Sequence, residues 1–168
     1  MQVPNEFVHP LFFCAGDEIK ERNDVPFPQL MKTVYFYYDL IGVTPPPWEQ
    51  IEQSLPPVFE LWQEEKEALA TYFAKKDRAR AREPMIRGLS YLLVCLCWLN
   101  GKRVQNVREW EKEVEALALK PVNVVERLQF IFARCDLYHS FIQLSELFAE
   151  TEKLYFKKLV MMKKGMSR

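Results

Sequence analysis

A run of apolar and aromatic residues from Gly88 to Leu99, GLSYLLVCLCWL, constrains this chain more than any other stretch. Apart from Gly88 and Ser90, every residue in the run is apolar or aromatic. A helix that is apolar on all sides is buried inside a protein or lies in a membrane. Because the run is shorter than the roughly 20 residues that cross a bilayer, it predicts the buried central helix of a soluble bundle with no membrane span.

Proline and glycine residues divide the rest of the chain into helical segments, and no stretch shows strand-like alternation at useful length. We therefore predict an all-α, single-domain bundle of six or seven helices around one buried central helix. Residues 1–27 are predicted to form an irregular N-terminal arm that packs on the bundle, and residues 28–164 the α-helical domain.

The predicted helix boundaries follow from the positions of proline, glycine and capping residues. The segments are a short helix over Pro28–Ile41, a helix capped by Thr44 that begins in Pro45–Pro47, one from Pro56 to about Arg82, the central helix from Pro84 to Asn100, an amphipathic helix over 104–118, a helix capped by Asn123, and its continuation or a new helix that frays after Met162.

Charge and cysteine usage exclude several classes of protein. The chain has 23 Lys and Arg and 23 Asp and Glu, whereas a dedicated nucleic-acid-binding protein usually carries a clear positive excess. The start, MQVPNEFVHP, lacks the basic region and apolar core of a signal peptide. The four cysteines, at 14, 95, 97 and 135, include no C-x-x-C pair. We therefore expect a cytoplasmic protein with reduced thiols.

Five basic residues around Asp77 form the most concentrated basic patch: Lys75, Lys76, Arg78, Arg80 and Arg82. On one continuous helix, Lys75, Arg78 and Arg82 would form one stripe, and Lys76 and Arg80 another. Two explanations stay open, a solvated helix end matched to the helix dipole and a surface that contacts phosphate. The C-terminal tail is also basic, through Lys157, Lys158, Lys163, Lys164 and Arg168.

The aromatic run from Tyr35 to Tyr38, YFYY, also has two interpretations. It is typical of core and rim aromatics, and it would also suit a platform on which bases stack. A platform needs an open surface with nearby cations, and Lys32 is the only cation close by in sequence. The pattern therefore favours a role in the core.

Four polar residues raise the hypothesis of a metal site in the bundle: Glu65, Glu152, Asp136 and His139. Di-iron bundles combine inward carboxylates with two acid-x-x-His pairs. This chain has only one such pair, and its second histidine, His9, lies in the N-terminal arm. An arginine partner or exposure to solvent is the simpler explanation for Glu65, which lies on an apolar stripe.

No catalytic motif is present in the sequence. Neither a G-x-S-x-G elbow nor a glycine-rich phosphate loop occurs, since the five glycines are isolated. We predict a protein that is not an enzyme, with no catalytic residues, no cofactor and no metal.

Three stretches of the chain resemble the YpoC-like family of small bacterial proteins. They are WLNGKRV at 98–104, KPVNVVERL at 120–128 and YHSFIQLSELF at 138–148, within a similar region of about residues 50–160. The family has no assigned activity, so the resemblance implies no catalytic residue. Genes of the family tend to lie near those for DNA replication and repair, which implies a loose link to DNA transactions.

Polar groups within the last of these stretches mark a second possible interaction surface. Tyr138, His139 and Gln143 can lie near one edge of a helix beside an apolar run. Structural use of these side chains is the alternative. Either way, the spacing places them together at the start of the last helix.

The function predicted from these features is contact with another macromolecule. The first hypothesis is a protein-interaction module, whose partner is an unknown protein and which would expose an apolar patch of several hundred Å², at Tyr35–Tyr38 or on the N-terminal arm. The alternative is a nucleic-acid-associated accessory protein in a replication or repair context, using residues 75–82 and the basic tail. A homo-oligomer is also open, since an acidic helix at 104–118 could pair with the basic patch of the same or another copy.

Overall fold

Six α-helices and three short 3-10 turns make up the fold of the computed structural model, which describes residues 1–166. The helices are α1 (Tyr37–Ile41), α2 (Ile51–Ala74), α3 (Arg78–Leu99), α4 (Trp110–Glu115), α5 (Val124–Ala133) and α6 (Tyr138–Met166). The 3-10 turns are Asn5–Phe7, Gln29–Lys32 and Pro47–Glu49. Only isolated bridges, and no β-strand, occur in this part of the chain. The all-α prediction is confirmed.

The apolar run identified in the sequence forms the second half of α3, and its side chains are buried in the centre of the protein. Leu92 and Leu96 have no exposed surface. Helices α2 and α6 pack on α3, and Trp62 of α2 stacks on Phe148 of α6 with ring centroids 4.5 Å apart. Burial of this second half of α3 on all sides explains why the run from Gly88 to Leu99 has no polar face.

Helix α2 begins before the two prolines that were expected to start it. Pro56 and Pro57 lie inside α2, which starts at Ile51. A proline within a helix removes the N–H that would bond to the carbonyl four residues earlier. The carbonyl of Glu52, left without that donor by Pro56, accepts a hydrogen bond from the Tyr155 hydroxyl at 3.4 Å. A contact between distant segments therefore compensates for a local defect.

The break between α2 and α3 comes at Lys75–Asp77 and not at Pro84, so both predicted boundaries are wrong. Lys76 has a φ of 55°, in the left-handed region that closes helices, and Asp77 caps the start of α3. Pro84 lies within α3. The C-terminal boundary at Asn100 is confirmed, because α3 ends at Leu99.

Other predicted helices are shorter or interrupted. The segment Pro28–Ile41 contains the 3-10 turn Gln29–Lys32 and then α1, separated by Phe36 with a φ of 57°. Thr44 caps no helix, since α2 starts only at Ile51. Residues 104–118 are helical only over Trp110–Glu115.

The predictions at the two ends of the C-terminal helix pair also need correction. Asn123 has a φ of 56° and makes no side-chain capping bond to α5. Helix α6 is separate from α5 and continues to Met166, so it does not fray after Met162.

The N-terminal arm packs on the bundle through its apolar side chains. Phe7 and Phe12 are buried, and the ring of Phe12 lies edge-on to Phe36 at 5.1 Å. The backbone N–H groups of Val107 and Arg108 donate to the carbonyl of Glu6 at 2.9 and 3.0 Å. These bonds join the arm to the loop that precedes α4.

Candidate functional site

The predicted basic patch lies at the turn between α2 and α3. Lys75 follows the last residue of α2, and the carboxylate of Asp77 accepts a 3.1 Å hydrogen bond from the backbone N–H of Arg80. Such a cap satisfies an N–H group that the first helical turn leaves unpaired. The two predicted stripes of cations are not formed, because they require one continuous helix across Asp77.

Three arginines of the patch have partners within the protein. Arg78 forms a 3.1 Å ion pair with Asp136, and Arg80 lies 3.4 Å from the carboxylate that caps α3. The guanidinium of Arg82 lies 3.2 Å from Sγ of Cys135. Burial raises the pKa of this thiol, and the charge of Arg82 opposes that rise. Part of the basic patch therefore joins α3 to the segment between α5 and α6.

The basic patch and the basic tail lie at opposite ends of α3. Arg78 is the first residue of this helix, and Lys158 donates a hydrogen bond to the carbonyl of its last residue, Leu99. The 22 residues of α3 correspond to a length of about 33 Å. One basic face that combines the patch with the tail is therefore not formed. Arg168 lies outside the described residues.

A groove beside the patch brings Tyr35 close to several arginines. Its volume is about 600 Å³, and its walls include Tyr35, Tyr72, Arg80, Arg82, Glu83 and Arg87. Lys32 was expected to be the only cation near the aromatic run. That expectation is wrong, because arginines distant in sequence line the same groove as Tyr35. Lys32 instead forms a 2.8 Å ion pair with Glu64.

The rest of the aromatic run belongs to the core. Phe36, Tyr37 and Tyr38 are buried, and the Tyr37 hydroxyl donates to the carbonyl of Arg22 at 2.9 Å. The interpretation of these residues as core aromatics is confirmed, and the run does not form an exposed apolar patch. Only Tyr35 of this run contributes to the groove.

The polar residues predicted at the start of the last helix lie together in the first two turns of α6. Tyr138 is exposed, and Nε2 of His139 lies 3.0 Å from Nε2 of Gln143. The ring of Tyr138 lies edge-on to Phe73 of α2 at 5.7 Å. Together with the Arg78–Asp136 ion pair, this contact places both predicted surfaces at the same end of the bundle.

The residues of the hypothetical metal site do not converge. Glu65 accepts hydrogen bonds of 2.7 and 3.0 Å from the Arg87 guanidinium, and Asp136 is paired with Arg78. Glu152 lies in a groove between α2 and α6. Within residues 1–166, no group of three or more His, Cys, Asp or Glu is placed to hold an ion. The arginine partner expected for Glu65 is present.

A buried carboxylate in the bundle was missed by sequence reasoning. Asp39 has no exposed surface, and its Oδ2 accepts hydrogen bonds from Nε1 of Trp98 at 2.9 Å and from the Val104 backbone N–H at 2.6 Å. Burial raises its pKa to about 7, although both hydrogen bonds favour the charged form. The sequence contained one indication of this buried carboxylate: Asp39 is the only charged residue between Val34 and Ile41.

The C-terminal part of α6 exposes the largest group of apolar side chains in the described residues. Phe156, Val160, Met161 and Met162 are between 43% and 63% exposed. On one side of the helix a groove of about 550 Å³ is lined by Leu119, Leu154, Lys157, Lys158, Met161 and Met162. This groove has an apolar floor and two lysines at its rim. Burial lowers the pKa of Lys158.

The described residues define an all-α protein whose longest helices, α2, α3 and α6, pack on one another. No helix in this part of the chain has the length and apolar character that crossing a bilayer requires. The YpoC-like protein family matches residues 52–163, and the chain belongs to this family. It is 33% identical to the uncharacterized protein YpoC of Bacillus subtilis (strain 168) over 111 residues, or 66% of this chain and 68% of the relative. No solved structure matches the chain.

Proposed function

We propose that the chain is a non-enzymatic, cytoplasmic protein-interaction module whose contact surface is the groove of Met161 and Leu154. The observation that supports this proposal is the exposure of Met161, 63%, above an apolar floor. Methionine side chains adapt their shape to a partner, and surfaces rich in them bind protein segments. The exposed lysine of this groove, Lys157, favours a partner segment that combines apolar with acidic side chains.

A photo-crosslinking amino acid at position 161 tests this proposal in the cell that produces the protein. We expect a covalent adduct with one protein, and we expect none from the same amino acid at Gln129, an exposed position on α5. The substitution Met161→Asp should abolish copurification of that partner, because it introduces a carboxylate into an apolar contact surface. Identical adducts from positions 161 and 129, or none from either, would contradict the proposal.

A second candidate function, binding of nucleic acid as an accessory protein, is supported by the groove of Tyr35 and Arg82. It combines aromatic rings with arginines, which are the groups that stack on bases and contact phosphates. The net charge of zero and the internal ion pairs of Arg78 and Arg80 reduce the charge available for such contacts.

Fluorescence anisotropy with a labelled single-stranded oligonucleotide tests the second candidate. Binding should weaken steeply as salt is raised, because phosphate contacts release counterions. The change Arg82→Glu should weaken binding far more than Lys20→Glu, which alters the net charge equally at an exposed site in the N-terminal arm. Absence of binding at low salt would exclude this function.

A further inference from the structure

One face of the exposed end of α6 carries opposite charges at its two ends and apolar side chains between them. We call Glu152, Phe156, Val160 and Lys163 the α6 stripe. Their spacings of four, four and three residues place them on one side of a helix. Phe156 and Val160 are 55% and 53% exposed. Met161 lies on a different side, so the stripe is separate from the groove that supports the proposed function.

The order of residues in the stripe makes it complementary to itself. With a rise of 1.5 Å per residue, Glu152 lies about 9 Å on one side of position 158, and Lys163 lies about 7.5 Å on the other. Phe156 and Val160 each lie about 3 Å from that midpoint. If a second α6 helix runs in the opposite direction about this point, its basic end lies opposite the acidic end of the first helix. Its valine then lies opposite the phenylalanine of the first helix.

We propose that the α6 stripe binds the same stripe of a second copy of this chain, with the two α6 helices antiparallel about a twofold axis. Phe156 of each copy then contacts Val160 of the other, and Glu152 of each copy pairs with Lys163 of the other. A twofold interface requires one surface that is complementary to itself, and this stripe has that property. A parallel arrangement would place like charges opposite each other, which is unfavourable.

The neighbouring groove between α2 and α6 extends the contact surface. Its volume is about 280 Å³, and its walls include Pro56, Phe59, Glu60, Glu152 and Phe156. The groove gives Val160 of the second copy an apolar site, and Glu60 adds a second carboxylate at the end where Lys163 of the second copy arrives. Because one helix face and a shallow groove bury little area, we expect a weak dimer in equilibrium with the monomer.

Charge reversal provides the test, with the full chain studied by sedimentation velocity over a wide concentration range. The unmodified protein should dimerise as concentration rises. Glu152→Lys and Lys163→Glu should each raise the dimer dissociation constant about tenfold or more, because each places like charges together twice across the axis. An equimolar mixture of the two variants should form a heterodimer, because both of its ion pairs then join opposite charges.

Lys20→Glu is the matched control, since it makes the same change in net charge as Lys163→Glu at an exposed site of the N-terminal arm, and it should leave dimerisation unchanged. Recovery of association in the mixture also shows that both variants are folded. A monomer at all concentrations, unchanged dimerisation in both single variants, or a mixture that does not associate would overturn the proposal. A chain that is monomeric but still cross-links to a partner through position 161 would overturn the dimer alone.

Discussion

The Oδ2 atom of Asp39 accepts a 2.9 Å hydrogen bond from Nε1 of Trp98, and both side chains have no exposed surface. This bond joins α1 to the end of α3. The same oxygen accepts the backbone N–H of Val104, so the carboxyl group also fixes the chain that leaves α3. Among residues 1–166, Oδ1 has no hydrogen-bond partner. The buried carboxyl group organises this part of the core.

Stability should depend on pH through Asp39. Its pKa is about 7 in the folded protein and 3.8 for an aspartate exposed to water, so the folded state binds more protons between these values. Its contribution to stability is therefore complete below about pH 4 and is lost as pH rises to about 7, by up to about 1.4 kcal/mol per pH unit. Asp39→Asn keeps an acceptor for both donors and removes the titration.

Urea denaturation at several pH values checks this prediction. The stability difference between the unmodified protein and Asp39→Asn should change steadily between pH 4 and 7, with the unmodified protein losing stability relative to the variant. Comparison of the two proteins cancels the contributions of other titrating groups. A constant difference across this range would contradict the assignment.

Removal of one partner of the Glu65–Arg87 ion pair should reduce stability more than replacement of both partners by apolar residues. Arg87→Met leaves the half-buried carboxylate of Glu65 without its two hydrogen bonds of 2.7 and 3.0 Å, and we expect destabilisation of about 3 kcal/mol. The double change Glu65→Leu and Arg87→Met should recover most of this loss, because apolar side chains of similar volume can replace a buried ion pair. Thermal unfolding of the three proteins measures the effect. A double variant less stable than Arg87→Met would refute it.

Gly88 should not tolerate alanine, although alanine is the better helix former. A Cβ atom at Gly88 would lie 2.6 Å from the Trp62 ring and 3.1 Å from Leu144. The Trp62 ring is stacked on Phe148 and cannot move away freely. We expect Gly88→Ala to destabilise the protein by about 1 to 3 kcal/mol, despite a gain of about 1 kcal/mol from helix propensity.

Gly165→Ala is the control for this steric effect. Gly165 also lies in a helix, but within residues 1–166 no atom outside its adjacent residues and the local helix backbone lies within 4 Å of a Cβ placed there. Its unfolding midpoint should stay the same or rise slightly. Equal stability of the two variants would show that close packing at Gly88 is not limiting.

Truncation of a buried leucine of α3 should strongly reduce the stability of the folded protein. Leu96 has no exposed surface, and Leu96→Ala leaves a cavity in the core beside the last turn of α3 that should cost about 2 to 5 kcal/mol. Val122→Ala, at a side chain that is 75% exposed, should change stability little. Urea denaturation measures both. A normal midpoint for Leu96→Ala would show that α3 is not the centre of the core.

The sequence predicted a structural element correctly where a long stretch of the chain consists almost entirely of apolar residues. The buried helix at Gly88–Leu99 and its end at Asn100 needed no information from distant residues. The predicted helix starts at Pro56 and Pro84 were wrong, because both prolines lie inside helices. The carbonyl that such a proline leaves unpaired can accept a hydrogen bond from another donor. For Pro56 that donor is the Tyr155 hydroxyl, about a hundred residues later in the chain.

For the candidate surfaces too, groups of residues close in sequence could be predicted, whereas contacts between distant segments could not. The sequence identified the basic residues at 75–82 and the polar residues Tyr138, His139 and Gln143. It could not show that Arg78 pairs with Asp136 or that Tyr35 lies in a groove with Arg82, since each contact joins segments far apart in the chain. The exposed end of α6 was missed because its apolar residues look like core residues until the neighbouring helices are known to end before it.

The amino-acid sequence by itself determined the class of this protein, an all-α fold with one buried apolar helix segment, because hydrophobic patterning is a local property that burial enforces. Only the tertiary structure decided which polar groups are paired inside and which faces stay open. The partners of Asp39 and Glu65, the groove of Met161 and the α6 stripe depend on the packing of segments that the sequence separates. For that reason the functional proposals rest on contacts and exposure.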